Sequence, residues 1–367
     1  MSLSVGIVGL PNVGKSTLFN ALLKKQQAFV ANFPFTTIQP NIGIVPVPDE
    51  RLNKLAQLVK SEEDMSELPP IVPATVKFLD IAGLIAGASK GEGLGNQFLA
   101  HIRETDAICH VVRCFSDPNI IKSGTIDPKS DFATVELELQ LADLQTLEKQ
   151  NEPRGMIDKE EQQRWLSVLK IRQTLGQGKP VREIELTDEE KKASKSLNLL
   201  TDKPILIVLN VDENDLKRID PWEEKYAVEL GIKRDQVVTI CAKTEMELAD
   251  LSAEEQKAYL RELGVEKSGL ERLIQKAFAT LGLMTFLTAG EKEVRAWTIK
   301  KGTLAPQAAG VIHTDFEKGF IKVAVVNYQD FIKYGGWKGA GEVGKVRQEG
   351  RDYIMHDGDV VEFKFSL

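Results

Sequence analysis

The feature that most constrains this chain is the loop Gly9-Leu10-Pro11-Asn12-Val13-Gly14-Lys15-Ser16, set between an apolar run and an amphipathic stretch. Residues 3–8 before it read as a buried strand. Residues 15–25 after it, with Leu18, Phe19, Leu22 and Leu23 at helical spacing, read as a helix. The loop matches GxxxxGK[ST] in full. Its glycines let consecutive backbone N–H groups close around a phosphate, and the helix N-terminus behind them favours negative charge. Asn12, Val13, Gly14, Lys15, Ser16 and Thr17 are therefore the expected nucleotide-binding residues. Lys15 is the expected catalytic charge on the β- and γ-phosphates, and the Ser16 hydroxyl is an expected ligand of a magnesium ion, Mg2+.

The rest of the chain is consistent with an α/β P-loop fold. Further strand candidates are 41–45, 75–79, 107–112, 204–209 and 236–240, with a closing helix at 269–281. Short apolar strands alternating with helical stretches imply a mostly parallel sheet covered on both faces. Residues 131–203 break that rhythm. Val135, Leu139, Leu141, Leu144 and Leu147 mark one amphipathic helix, and Trp165, Leu166, Leu169 and Ile171 mark another. A helical hairpin inserted into the sheet domain is expected there, and Thr187 with Glu190 reads as a capping box opening a third helix. From residue 283 onward, strand-like runs at 294–299, 320–326 and 360–365 suggest a small mixed α/β module. The expected division is 1–130 and 204–282 as the two parts of a nucleotide-binding domain, 131–203 as the helical insert, and 283–367 as a C-terminal domain.

Composition narrows the function classes. Apolar residues at 42% and charged residues at 28% suit a soluble globular protein. The net charge of −7 argues against nonspecific nucleic-acid binding by the whole surface. Residues 283–367 carry 12 Lys/Arg against 11 Asp/Glu, so any RNA contact is expected there. Cys109, Cys114 and Cys241 match no metal spacing and read as reduced, buried thiols. The N-terminal residues lack the basic-then-apolar pattern of a secretory signal, and no apolar stretch is long enough to span a bilayer. A cytoplasmic protein with no membrane partner is expected.

Two more elements extend the phosphate site. Asp80-Ile81-Ala82-Gly83 is a DxxG pattern at a strand end. Its Asp80 reaches magnesium, typically through water, and the Gly83 N–H senses the γ-phosphate. Within Asn32-Phe33-Pro34-Phe35-Thr36-Thr37, either Thr36 or Thr37 supplies a switch-loop hydroxyl to magnesium, with Thr37 favoured. Gly87, Gly91, Gly93 and Gly95 suggest a mobile segment able to close over a nucleotide. His101 follows it and reads as an ordinary surface or packed histidine rather than a catalytic one.

The base-reading motif departs from the GTPase pattern Asn-Lys-x-Asp. Here it is Asn210-Val211-Asp212-Glu213, with Val211 replacing the lysine and the longer Glu213 replacing the aspartate. That aspartate accepts from guanine N1–H and the 2-amino group. Adenine offers no such pair, so losing the carboxylate position removes the main discrimination against ATP. Asn210, Val211 and Glu213 are the expected base-site residues, with Asn210 either bracing the loops or meeting adenine. Cys241-Ala242-Lys243 is similar to the usual Ser-Ala-Lys base-supporting loop.

Together these residues resemble the Obg-like ATPase (YchF) family of translation-factor-class P-loop proteins, over essentially the full chain. The resemblance rests on residues 9–17, 32–41, 80–83 with 88–97, 210–213, 294–298, 305–310 and 313–320. It implies a nucleotide domain interrupted by a coiled-coil insert, followed by a TGS domain of β-grasp shape. It also implies preference for ATP over GTP and association with ribosomes. Leu84 stands where Ras-like proteins carry a water-orienting glutamine, and no arginine of the motifs is a finger. Slow intrinsic hydrolysis awaiting a partner is the expectation. The alternatives are a true GTPase with a variant motif, and an RNA- or ribosome-binding module whose nucleotide only sets conformation.

Overall fold

A computed structural model describes residues 3–30, 41–81, 94–116, 127–153 and 158–366. The strands, in chain order, are β1 (Ser4–Val8), β2 (Ile42–Pro46), β3 (Ile71–Val72), β4 (Thr75–Asp80), β5 (Ala107–Arg113) and β6 (Ile205–Asn210). They continue as β7 (Val237–Ile240), β8 (Leu283–Ala289), β9 (Val294–Lys300), β10 (Phe320–Asn327), β11 (Arg347–Glu349) and β12 (Asp359–Phe365). The chain forms two compact units, Met1–Val45 with Lys77–Thr280, and Pro46–Val76 with Leu281–Leu367.

The first unit is built on a sheet of order β2-β4-β1-β5-β6-β7. The pairs β1–β4, β1–β5, β5–β6 and β6–β7 are all parallel. Every residue of β1, β5, β6 and β7 is buried, as expected of parallel strands covered on both faces. The helices Ile219–Leu230 and Gly269–Thr280 pack on β7, and Pro128–Glu148 packs on β5. Register pairs Ile7 with Asp80, Val8 with His110, and Arg113 with Asn210. The carboxyl ends of β1, β4 and β6 thus reach one edge of the sheet, where ligands of open α/β folds bind.

The hairpin expected within 131–203 consists of the helices Pro128–Glu148 and Lys159–Leu175. The first helix serves two cores. Val135, Leu139 and Ala142 join the sheet core, whereas Leu147 packs with Val168, Ile171, Leu175 and Val181. A buried carboxylate ties the hairpin to the strand that follows. Asp143 accepts from the N–H groups of Leu200 and Thr201 at 2.8 Å each and from the Thr201 hydroxyl at 2.7 Å. Burial raises its pKa, and these three bonds oppose the rise. The capping box at Thr187 and Glu190 forms as expected.

In the second unit the sheet order is β11-β10-β12-β8-β9-β3. Its core gathers Phe286, Val323, Val325, Met355 and Phe363 beneath Ala305, Ala308 and Ala309 of the helix Ala305–Ile312. Residues 46–76, which the sequence pattern places with the nucleotide domain, belong to this unit. Arg51 on the helix Glu50–Glu62 donates to Asp49, Asp357 and Thr285, and β3 pairs in parallel with β9. Among the described residues, no helix is long and apolar enough to cross a membrane.

Candidate functional site

The loop after β1 has a shape that only glycine permits at two points. Gly9 has φ +152° and Gly14 has φ +97°. A β-carbon on Gly9 would lie 2.4 Å from the Val111 carbonyl oxygen, and one on Gly14 would lie 2.2 Å from the Asn210 amide nitrogen. Asn12 is exposed and takes the left-handed conformation with φ 62°, one that asparagine tolerates. Val13 is buried and anchors the loop from below. Ser16 and Thr17 are exposed on the first turn of the helix Lys15–Val30, which opens with Leu18 N–H donating to the Gly14 carbonyl at 3.0 Å.

Lys15 is buried, and its ammonium donates to the Leu10 carbonyl at 2.7 Å. Burial pulls its pKa from 10.5 down to about 8, against the opposing field of Asp80. Asp80, half-buried at the end of β4, moves the other way: burial raises its pKa and Lys15 restrains the rise. Each group is pushed toward its neutral form by lack of water. A polyphosphate with a divalent cation would supply the opposite charge to each.

Asn210, at the end of β6, spans two loops. Its amide nitrogen donates to the Val13 carbonyl at 2.9 Å, and its amide oxygen accepts from Ala242 N–H at 2.9 Å. Of the two roles open to it, bracing is the one its amide fulfils here. The side chain of Val211 packs in the sheet core, while its N–H donates to the Ile240 carbonyl at 2.8 Å. Glu213 is exposed at the start of the short helical segment Glu213–Arg218. One of its carboxylate oxygens, Oε2, accepts from the hydroxyls of Thr244 and Tyr259, each at 3.1 Å. Neither residue is signalled by a motif. Thr244 follows the Cys241-Ala242-Lys243 loop directly, whereas Tyr259 comes from the separate helix Ala253–Leu263, with no sequence cue.

Thr36, Thr37, Gly83 and Leu84, with Gly87, Gly91 and Gly93, lie outside the described residues. His101 is exposed on the helix Leu94–Arg103. Cys109 and Cys241 are buried free thiols, and burial pushes Cys109 up to about 12. Cys114 is only half-buried, so the expectation of three buried thiols is corrected at that position.

The site can be tested for magnesium by its donors. The Ser16 hydroxyl, exposed on the first helical turn after the phosphate loop, and the Asp80 carboxylate at the end of β4 are hard oxygen donors, of the kind that suits an ion keeping waters and phosphate oxygens as its other ligands. No group of three or more His, Cys, Asp or Glu side chains able to hold a metal occurs among the described residues. The donor set fits a cation carried in with a nucleotide rather than one caged by protein alone.

The chain is similar to known proteins over its full length. Residues 4–138 match the family described as 50S ribosome-binding GTPase. Residues 283–366 match the YchF-GTPase C-terminal family, described as a protein of unknown function. The chain is 49% identical to the ribosome-binding ATPase YchF of Bacillus subtilis (strain 168), with all of both chains covered. It is 50% identical to the protein of that name from Haemophilus influenzae, and 48% identical to that from Escherichia coli O157:H7, again with full coverage. Its fold is similar to the YchF GTPase of Schizosaccharomyces pombe, with a TM-score of 0.86 and 38% identity. That likeness covers 99% of this chain and 98% of the other.

Proposed function

The chain belongs to the YchF family, and from that premise we propose that it binds and hydrolyses ATP in preference to GTP, with magnesium, as a slow switch associated with ribosomes. The observation that carries this reading is the buried Lys15 opposite Asp80, at the point where Gly9 and Gly14 bend the loop closely enough to wrap a phosphate. The reaction is attack of water on the γ-phosphate. In it, the loop amides hold the β-phosphate, and Lys15 directs its ammonium at the oxygens where negative charge spreads. Ser16 and Asp80 would hold magnesium, joined by Thr36 or Thr37, and the ion when bound neutralises charge on the β- and γ-oxygens. The Gly83 N–H is assigned to the γ-phosphate. Leu84 has no group to orient water, which agrees with slow turnover that a partner accelerates.

The adenine preference rests on Glu213 in place of aspartate, with Asn210 and the backbone of Val211 shaping the base pocket. Residues 131–203 form the insert read as a coiled coil, and 283–367 the module read as a TGS domain. We assign RNA or ribosome contact to that module and place the protein in the cytoplasm, where ribosomes and ATP are found. The relatives named as ribosome-binding ATPases support the partner and the nucleotide alike. The test is calorimetric titration with non-hydrolysable ATP and GTP analogues in magnesium, alongside co-sedimentation with ribosomes in each nucleotide state. The expected result is tighter adenine binding and a ribosome association that changes with the nucleotide. Strong selectivity for the guanine analogue would sink the ATPase reading.

A further inference from the structure

We infer that Thr244 and Tyr259 are positioning residues that set the choice of base, by occupying one oxygen of Glu213 and leaving the other as the single acceptor for the nucleotide. The inference rests on the reading that Glu213 faces the base and deepens it. A carboxylate selects guanine by offering two oxygens at once, one to N1–H and one to the 2-amino group. Here Oε2 already accepts two hydroxyls, from Thr244 and Tyr259 at 3.1 Å each. Among the described residues Oε1 accepts none.

A hydroxyl bonded to a carboxylate must be released or shared before that oxygen can accept a base donor, and hydrogen bonds to charged groups are the stronger kind. The carboxylate is therefore reduced to one acceptor. One acceptor satisfies a single exocyclic amino group, as on adenine, and leaves one of guanine's two donors without a partner on Glu213. The loss is that of one hydrogen bond to a charged group.

The anchors are of separate origin. Thr244 is buried on the helix Ala242–Leu248, whose first N–H is held by Asn210. Tyr259 is half-buried on the helix Ala253–Leu263, with its ring packed at the margin of the sheet core. The two therefore approach Glu213 from different helices and fix its orientation. Substituting aspartate for Glu213 would shorten the reach to both hydroxyls, so the extra methylene of glutamate has a positive use beyond misplacing the carboxylate.

The test compares wild type, Tyr259→Phe, and the double variant Tyr259→Phe with Thr244→Val. Each is titrated with non-hydrolysable ATP and GTP analogues in magnesium, and Thr244→Ser, which keeps the hydroxyl, serves as the rescue control. Both replacements keep side-chain volume, and a thermal melt of each protein checks the fold. The expected result is that the ratio of ATP to GTP affinity falls about tenfold in the double variant, equivalent to about 1.4 kcal/mol. A smaller fall is expected for Tyr259→Phe, and no change for Thr244→Ser. Loss of both affinities in equal proportion would mean a merely structural role and overturns the inference. Adenine preference with an unchanged ratio in the double variant overturns it too. A wild type that prefers guanine overturns both this inference and the adenine reading beneath it.

Discussion

Lys15→Met separates what the phosphate site does for binding from what it costs in folding. The lysine is almost wholly buried, and its pKa falls from 10.5 to about 8 because burial disfavours the ammonium more than Asp80 restores it. The sign follows from linkage. The folded chain binds this proton less tightly than the unfolded chain does, so the group destabilises the fold at neutral pH and ceases to do so as pH rises from 8 through 10.5. At about 1.4 kcal/mol per pH unit, the charge costs about 3 kcal/mol at pH 7. Methionine matches the length and has no charge to desolvate. Two losses offset the gain. The bond to the Leu10 carbonyl at 2.7 Å is worth about 1 kcal/mol, and Asp80, without its cation, moves further toward the protonated form. The expected net effect is a stabilisation of about 1–2 kcal/mol together with loss of ATP binding. Calorimetric unfolding at pH 7 reads it as a rise of about 2–8 °C in the transition of the nucleotide-binding unit, and nucleotide titration reads the loss. A variant destabilised by more than about 1 kcal/mol would refute the reasoning, because the buried ammonium would then be favourably held without a phosphate.

Two further outcomes follow from the same geometry. ATP affinity should be level at neutral pH and fall as pH climbs above about 8, by at most about tenfold per pH unit, because the free protein then has to take up a proton on Lys15 to bind; a flat affinity from pH 7 to 9.5 would contradict this. Asn210→Asp keeps the acceptor for Ala242 but sets a carboxylate oxygen against the Val13 carbonyl. It should weaken both nucleotides alike and destabilise the first unit by about 2–4 kcal/mol, measured by denaturant unfolding.

The nucleotide-binding sheet is legible in the sequence because two strong local signals coincide there. Strands buried on both faces read as unbroken apolar runs, and the phosphate loop has an obligatory spacing; β1, β4, β5, β6 and β7 all fall within a residue or two of expectation. The assignment of residues 46–76 was not legible. β3 is two residues long and finds β9 more than two hundred residues away, and Arg51 finds Thr285 and Asp357 at comparable separations. Long-range pairing of so short a strand leaves no periodicity to read. β8 escaped for another reason: it starts directly after Gly282, where the helix Gly269–Thr280 ends, so its apolar run sits on the expected domain boundary. In the candidate site, Val211 occupies the lysine position of the GTPase motif, and its apolar side chain packs in the sheet core.

The side-chain amide of Asn210 joins the phosphate loop to the helix Ala242–Leu248. Asn210 donates to the Val13 carbonyl in the phosphate loop and accepts from Ala242 at the start of the helix that carries Thr244. The same amide nitrogen lies where a side chain on Gly14 would begin, so the residue at position 14 must be glycine for the brace to close. The phosphate loop is thus linked through Asn210 to Ala242 and, two residues on, to the hydroxyl that donates to Glu213. Two buried hydrogen bonds of 2.9 Å in series form a short, stiff connection, because breaking either strands a buried polar group. This accounts for the motif keeping its asparagine while its lysine and aspartate positions have changed. The lysine and aspartate of the GTPase motif serve one particular base, whereas the asparagine here holds the phosphate loop to the helix Ala242–Leu248.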